Sequence, residues 1–254
     1  MSNLPKINPE EEILKIQSFI KSVMSKQQKK NVVIGISGGI DSATALFLLK
    51  NSIPHENIFV LYLPYFENNS EDFKDVIKDI NLPEENVKEV SIKPIADSII
   101  KTLNIPEDKI RKGNVMARVR MIALYDYAKE IDGLVCGTEN KSEFLLGYFT
   151  RFGDGASDFE PIQHLYKTQV YEVATKLGVP DKIIKRMPSA NLWENQTDEE
   201  ELGFSYKEAD EVLYLYFDKG MKIEEILVKS SKNAGKIIDF ANRNSYKHHV
   251  PYLI

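Results

Sequence analysis

The chain has 254 residues, 43% of them hydrophobic, with 33 lysines and arginines against 38 aspartates and glutamates and a formal net charge of −5. That is enough apolar content for a sizeable core, and the acidic balance argues against a general nucleic-acid binder, which shows a basic excess. One cysteine excludes an intramolecular disulfide and fits a reducing compartment, and four histidines with that cysteine lack the spacing of a common zinc site.

Ile13, Ile16, Phe19, Ile20 and Val23 recur at helical spacing and predict an amphipathic helix over 9–29. A short β-branched run over 31–37 reads as a buried parallel strand. A helix rich in Ala and Leu follows over 43–50. Strands are expected at 58–63, stopped by Pro64, at 87–92, and at 133–138, where Cys136 reads as a core thiol. Helices are expected at 71–79, 95–103 and 113–130. Alternation of this kind predicts an α/β domain with a parallel sheet flanked by helices.

From Phe144 to Lys167 the pattern breaks into a glycine-bearing polar stretch, the mark of a long functional loop. A helix is expected over 168–177, ended by Gly178 and Pro180. A second irregular stretch runs from Met187 to Leu202, and 205–242 reads as helical decoration at the C-terminal end. No linker or repeat divides the chain, so a single domain over 1–254 is expected. No apolar run approaches the ~18–20 residues of a membrane span, and Met1 to Lys6 lacks a signal core. A cytoplasmic protein with no membrane or nucleic-acid partner is therefore expected.

The most informative local feature is Gly35-Ile36-Ser37-Gly38-Gly39-Ile40-Asp41-Ser42, set between a buried strand and a helix. Paired glycines let backbone N–H groups approach an anion, and the helix start adds a positive dipole end worth about 0.3–1 kcal/mol. The loop lacks the lysine of a Walker sequence. Asp41 would repel phosphates unless a cation intervened, which suggests a Mg²⁺ ligand. The alternative is a helix-start aspartate in a glycine turn, with no ligand.

Ser37-Gly38-Gly39-Ile40-Asp41-Ser42 resembles the signature of the N-type ATP pyrophosphatases, which cleave ATP between the α- and β-phosphates and adenylate a carbonyl or carboxylate oxygen. Four further segments resemble ammonia-dependent NAD synthetases over nearly the whole chain: 113–121, 137–143, 147–158, and 187–193 with Gln196 to Gly203. The resemblance implies a Rossmann-like fold of the adenine nucleotide alpha hydrolase type. It also implies amidation of deamido-NAD by ammonia, with ATP as co-substrate, through an acyl-adenylate, giving NAD, AMP and pyrophosphate.

The resemblance places Gly35 to Ser42, Thr138, Lys167 and Ser189 at ATP, and pairs Asp41 with Glu143 as magnesium carboxylates. Asn114, Arg118, Arg151, Asp158, Tyr246 and Lys247 fall to deamido-NAD, and Asp154 to orienting or deprotonating ammonia. Arg120, two positions past Arg118 on a helix, is expected to face solvent or a partner subunit. The resemblance further implies a homodimer, and a chain of this length leaves no room for a glutaminase domain. Departures are Tyr246 in place of the usual His, Asn191 where Asp is common, and Arg151 for a frequent Lys, which keeps the charge but not the geometry. The segment Leu63 to Ser70 matches the family's adenine-side loop loosely and stays outside the candidate site. Two rival readings remain: a tRNA-modifying pyrophosphatase, disfavoured by one cysteine and the net charge, and a non-catalytic nucleotide-binding module, which would need neither Glu143 nor the 151–158 segment.

Overall fold

In a computed structural model, the protein is described over residues 3–66, 70–78 (70–72 by backbone alone), 80–189, 193, 196–249 and 251–252. Four strands, β1 (Asn31–Gly35), β2 (Ile58–Tyr62), β3 (Val87–Glu89) and β4 (Gly133–Cys136), form one parallel sheet in the order β3-β2-β1-β4. The chain thus steps from β1 outward to β3, then returns to the other side of β1 for β4. That reversal opens a crevice beyond the carboxyl ends of β1 and β4, the place where α/β sheets bind ligands.

Strand periodicity decides which helices cover which face. Val32, Ile34, Ile58, Val60 and Tyr62 point into one cluster with α1 (Pro9–Gln27), α2 (Ile40–Lys50) and α7 (Lys167–Leu177). Val33, Leu61 and Val135 point the other way, against α4 (Lys93–Thr102) and α5 (Lys109–Glu130). Both faces of β1 and β2 are buried, which is why those strands read as continuous apolar runs, whereas the edge strand β3 carries Lys88 and Glu89. A third cluster joins α6 (Lys141–Leu146), α10 (Tyr206–Leu213) and α12 (Ala234–Asn244). The helices α3 (Ser70–Ile77), α8 (Asp181–Ile184), α9 (Asp198–Leu202) and α11 (Ile223–Lys229) complete the chain.

Helix starts follow local chemistry. Asn8 caps α1 through its side chain to the Glu10 N–H at 3.1 Å, with Pro9 at the first position. The α5 helix begins four residues before the expected Gly113, because Asp108 accepts the Arg111 N–H at 3.0 Å. Asp108→Ala should lower stability by about 1 kcal/mol, read as a lower urea midpoint at unchanged slope. The segment 205–242 is not one continuous helix. It breaks after Asp218, where Gly220 takes φ +61°, and resumes at α11. β3 ends at Glu89, short of the expected 92: the Val90 and Ile92 N–H groups still donate to the Tyr62 and Pro64 carbonyls, but Pro64 has no N–H to return a ladder bond.

Candidate functional site

The glycine loop leaves β1 and enters α2 at the crevice. Gly38 carries φ +81°, a left-handed conformation that a side chain would strain. Ser42 Oγ donates to the Gly39 carbonyl at 3.1 Å and lies 3.2 Å from Ser37 Oγ, which accepts the Gly39 N–H at 3.2 Å. The turn is therefore held by its own serines, and Asp41 is carried at the first turn of α2.

The opposite wall is built by a capping box. Asn140 Oδ1 accepts the Glu143 N–H at 3.0 Å, and Glu143 Oε2 lies 3.4 Å from the Asn140 nitrogen. The same Asn140 donates Nδ2–H to Asp41 Oδ1 at 2.9 Å. One residue thus starts α6, aims Glu143 and ties it to Asp41 beyond the end of the neighbouring strand β1.

Lys167 completes the centre from the first position of α7. Its Nζ lies 2.5 Å from Asp41 Oδ2 and 3.1 Å from Glu143 Oε1, and its side chain is 2% exposed. The backbone is fixed by Ser142 Oγ, which accepts the Lys167 N–H at 2.8 Å, and by buried Asp210, whose Oδ2 accepts from both the Thr168 N–H and its hydroxyl. A carboxylate at this helix start also suits the α7 dipole. Burial disfavours the Lys167 charge, but Asp41, Glu143 and Asp198 outweigh it and hold the pKa above the ordinary lysine value. Burial pushes Glu143 up to about 8, with Lys167 opposing the rise and Asp41 and Asp198 adding to it.

A cleft of about 260 Å³ opens over this centre. Among the candidates from sequence it is lined by Gly35, Ile36, Ser37, Gly39, Ile40, Asp41, Ser42, Thr138, Glu143, Asp154, Lys167 and Ser189. Asp154 accepts the Thr150 N–H at 3.0 Å; solvent filling the cleft reaches it, while the protein mass around it pushes its pKa up. Gly38 is not on the lining.

The other candidates gather beside the cleft, around the 147–156 loop. Arg118 donates to the Arg151 carbonyl at 3.3 Å, and Asn114 Oδ1 accepts the Thr150 hydroxyl at 2.8 Å. Lys247 donates to the Gly147 and Phe149 carbonyls at 2.7 and 2.9 Å. The Arg151 guanidinium lies 5.5 Å from the Tyr246 ring centre, within cation–π range.

Asp158 stands apart from both groups. It exchanges hydrogen bonds with Val135, its Oδ2 accepting the Val135 N–H at 2.7 Å, and so pins the chain along the outer edge of β4. Arg120 differs from expectation. It lines the cleft, and its Nε donates to the Leu63 carbonyl at 3.0 Å. Two residues turn a helix by about 200°, so opposite the exposed Arg118 lies the sheet rather than solvent.

Several lining residues were missed. Tyr62 at the end of β2 and Leu63, Pro64, Tyr65 and Phe66 after it form an apolar wall; the last four fall in the segment kept out of the candidate site. Asp198 is buried and accepts the Tyr206 hydroxyl at 3.0 Å; Tyr206 in turn stands 3.5 Å from Glu143. The acid-rich run after Gln196 was the available signal. Asn191 lies outside the described residues.

A parallel sheet with a glycine-loop nest and a buried Lys–carboxylate centre at its switch point defines an α/β protein of the ATP pyrophosphatase class. Residues 12–251 match the family described as NAD synthase, and the chain belongs to that family. The NH(3)-dependent NAD(+) synthetase of Pyrococcus furiosus is 47% identical over 222 residues, 87% of this chain and 84% of that protein. The solved structure of NMN synthetase from Francisella tularensis superposes with a TM-score of 0.84 at 34% identity, covering 98% of this chain and 99% of that one. NH3-dependent NAD synthetase from Campylobacter jejuni, solved with nitrate ion, gives 0.82 at 32% identity, covering 98% and 100%.

Proposed function

We propose that this chain uses ATP to amidate deamido-NAD with ammonia, giving NAD, AMP and pyrophosphate. The observation that carries the reading is the convergence of Asp41, Glu143 and Lys167 beneath the glycine loop, in a chain of the NAD synthase family.

The glycine-loop N–H groups, the Ser37 and Ser42 hydroxyls and the start of α2 suit the β- and γ-phosphates, and the apolar wall from Tyr62 to Phe66 suits an adenine ring. Arg118, Arg151, Tyr246 and Lys247 suit the dinucleotide, whose nicotinate carboxylate attacks the α-phosphate. An acyl-adenylate forms, and ammonia displaces AMP from it. No protein nucleophile is needed; positioning and charge stabilisation carry the barrier reduction. Lys167 holds its charge throughout and is the natural partner for oxygen charge developing on the α-phosphate.

The centre also fits Mg²⁺. Asp41 and Glu143 contact the same ammonium nitrogen, so their oxygens reach one point, and hard carboxylate oxygens are the donors magnesium takes. Asp41 and Glu143 would hold the ion, which when bound would neutralise charge on the departing pyrophosphate.

The reading carries with it a single-domain homodimer in the cytoplasm. Exposed apolar side chains at Leu103, Ile110 and Ile122 support an oligomer, to be checked by light scattering. No described helix is long and apolar enough to cross a membrane.

The test is to incubate purified protein with deamido-NAD, ATP, Mg²⁺ and ammonium and to measure NAD, AMP and pyrophosphate. Absence of all three products sinks the reading. The Francisella relative is named an NMN synthetase, so nicotinate mononucleotide belongs in the same assay; preferential turnover of it would replace the dinucleotide as substrate.

A further inference from the structure

Behind the cleft wall sits a second group of carboxylates that the reaction above does not use. Gly137 and Thr138 line the cleft after β4, while Glu139 turns away from it and is 8% exposed. Its Oε2 accepts Gln163 Nε2 at 2.8 Å, but its Oε1 is buried and has no hydrogen-bond partner. Glu160 packs against it. One Glu160 oxygen accepts the Glu139 N–H at 3.0 Å and the other the Ser157 hydroxyl at 2.7 Å. Glu160 also lies directly against Gly137. A Cβ there would fall 1.8 Å from Glu160 Oε1, so only glycine fits between this carboxylate and the cleft.

The charges acting on the pair are mostly other acids. Burial and Glu160 dominate at Glu139, with Glu143 and Asp154 adding to them. Lys247 feels the Glu139 charge, but its ammonium is already committed to the Gly147 and Phe149 carbonyls. A buried carboxylate without a counter-charge is costly, and an orphaned oxygen adds the penalty of an unmade hydrogen bond. Protonation would cancel the charge but leave a buried hydroxyl still without an acceptor. A small cation with several N–H donors would satisfy Glu139 Oε1, Glu160 and the Gln163 side-chain carbonyl together.

We propose that Glu139, Glu160 and Gln163 form a capture site for the ammonium ion that the reaction consumes, placed one glycine behind the wall of the nucleotide cleft. This rests on the ammonia-dependent reading above. Glu160 and Gln163 are half-buried and give the ion access from solvent. The ion must shed a proton before its nitrogen can attack: an N–H bond breaks, the electron pair stays on nitrogen, and the proton goes to Glu139 Oε1. In the empty site burial and then Glu160 raise Glu139 to about 9, so this carboxyl holds a proton readily.

Initial rates with ammonium varied at saturating ATP and deamido-NAD test the site. Glu139→Gln removes a charge-assisted contact and should raise KM for ammonium about 10- to 100-fold, leaving KM for ATP and deamido-NAD essentially unchanged. Glu160→Gln, at the solvent side, should show the same split and serves if the first variant folds poorly. Unchanged KM for ammonium in both, or a parallel rise in all three constants, overturns the proposal. An arm independent of turnover soaks wild-type crystals with thallium(I), an ammonium-sized cation with strong anomalous scattering. A peak between Glu139 and Glu160 that disappears in Glu160→Gln supports the site, and no peak in the wild type refutes it. A peak in a protein that never makes NAD would leave the cation site standing and remove the ammonia-dependent reading instead.

Discussion

Replacing Lys167 with methionine should all but end turnover and should also destabilise the fold, more at pH 8 than at pH 5. On the catalytic side, the loss of one pre-positioned charge at the reacting phosphate is expected to cost about 10²–10³ in kcat, measured as pyrophosphate release at saturating substrates. On the stability side, Lys167 is the cation shared by Asp41 and Glu143, and Asp198 adds to the same field. Removing one member of a buried ion pair costs about 3–5 kcal/mol, because the charges left behind remain desolvated. The Asp41 and Glu143 side chains keep 16% and 17% exposure, which places the expected loss near the lower end of that range. Without Lys167 the charge that holds the Glu143 carboxyl down is gone, and it takes up a proton on folding over a wider pH range. The folded state then binds more protons than the unfolded state above the ordinary carboxylate range, so stability falls as pH rises. Urea unfolding of both proteins at pH 5 and pH 8 measures the difference directly. An equal loss at the two values would mean that the carboxylates are compensated elsewhere.

Glu143→Gln is expected to separate stability from function in the opposite direction. The folded pKa of Glu143 is raised to about 8, first by burial and then by Asp41 and Asp198, with Lys167 pulling against them. A carboxyl raised in the folded state contributes fully below its unfolded value. It loses that contribution progressively as pH climbs from about 4.5 to about 8. A neutral amide of the same shape cannot lose it, and its carbonyl can still accept the Asn140 N–H that closes the α6 capping box. Glu143→Gln should therefore match the wild type near pH 5 and melt higher than it at pH 8.5, by roughly 2–4 °C for each kcal/mol recovered. Turnover should fall by two to three orders of magnitude, about the size of a lost charge contact in the transition state, with magnesium dependence weakened. Calorimetry across pH 5–9 and a magnesium titration of initial rates check the two halves separately. A variant that melts lower than the wild type at high pH would show that the Lys167 pair outweighs the repulsion. Glu139 and Glu160 are raised in the same sense, to about 9 and about 7, so the wild-type curve should slope downward over the whole alkaline range.

Much of the fold and part of the candidate site were legible before any coordinates. Helix periods and continuous apolar runs along the first half of the chain mark the covering helices and the central strands, because a helix buries one face whereas β1 and β2 bury both. The glycine loop is local: paired glycines, two serines and a helix start within eight residues describe the turn they form. Lys167 was placed at ATP by resemblance, and it stands where the loop pattern gives way to α7. Lys247 was placed at the site by resemblance. Its hydrogen bonds to two carbonyls of the 147–156 loop appear only once the C-terminal end folds back.

What the sequence by itself determined is the alternation of elements, the glycine turn and the supply of charged side chains at strand ends. Which of those charges meet was decided by tertiary structure alone. Asp41 finds Glu143 because the strand order reverses beside β1, and Asn140 ties the two loops across that crevice. Arg118 and Arg120 are two steps apart on one helix. One faces solvent and the other the Leu63 carbonyl, because only packing says which side of α5 is covered. Asp158 looks like its neighbours on a polar loop, yet it spends its carboxylate on the edge of β4. The orphaned oxygen of Glu139 has no sequence signature at all. The physical reason is common to these cases: hydrogen-bond partners within a few residues are encoded by spacing, whereas partners from distant segments are set by the order in which strands pack, and burial then fixes the charge each side chain can carry.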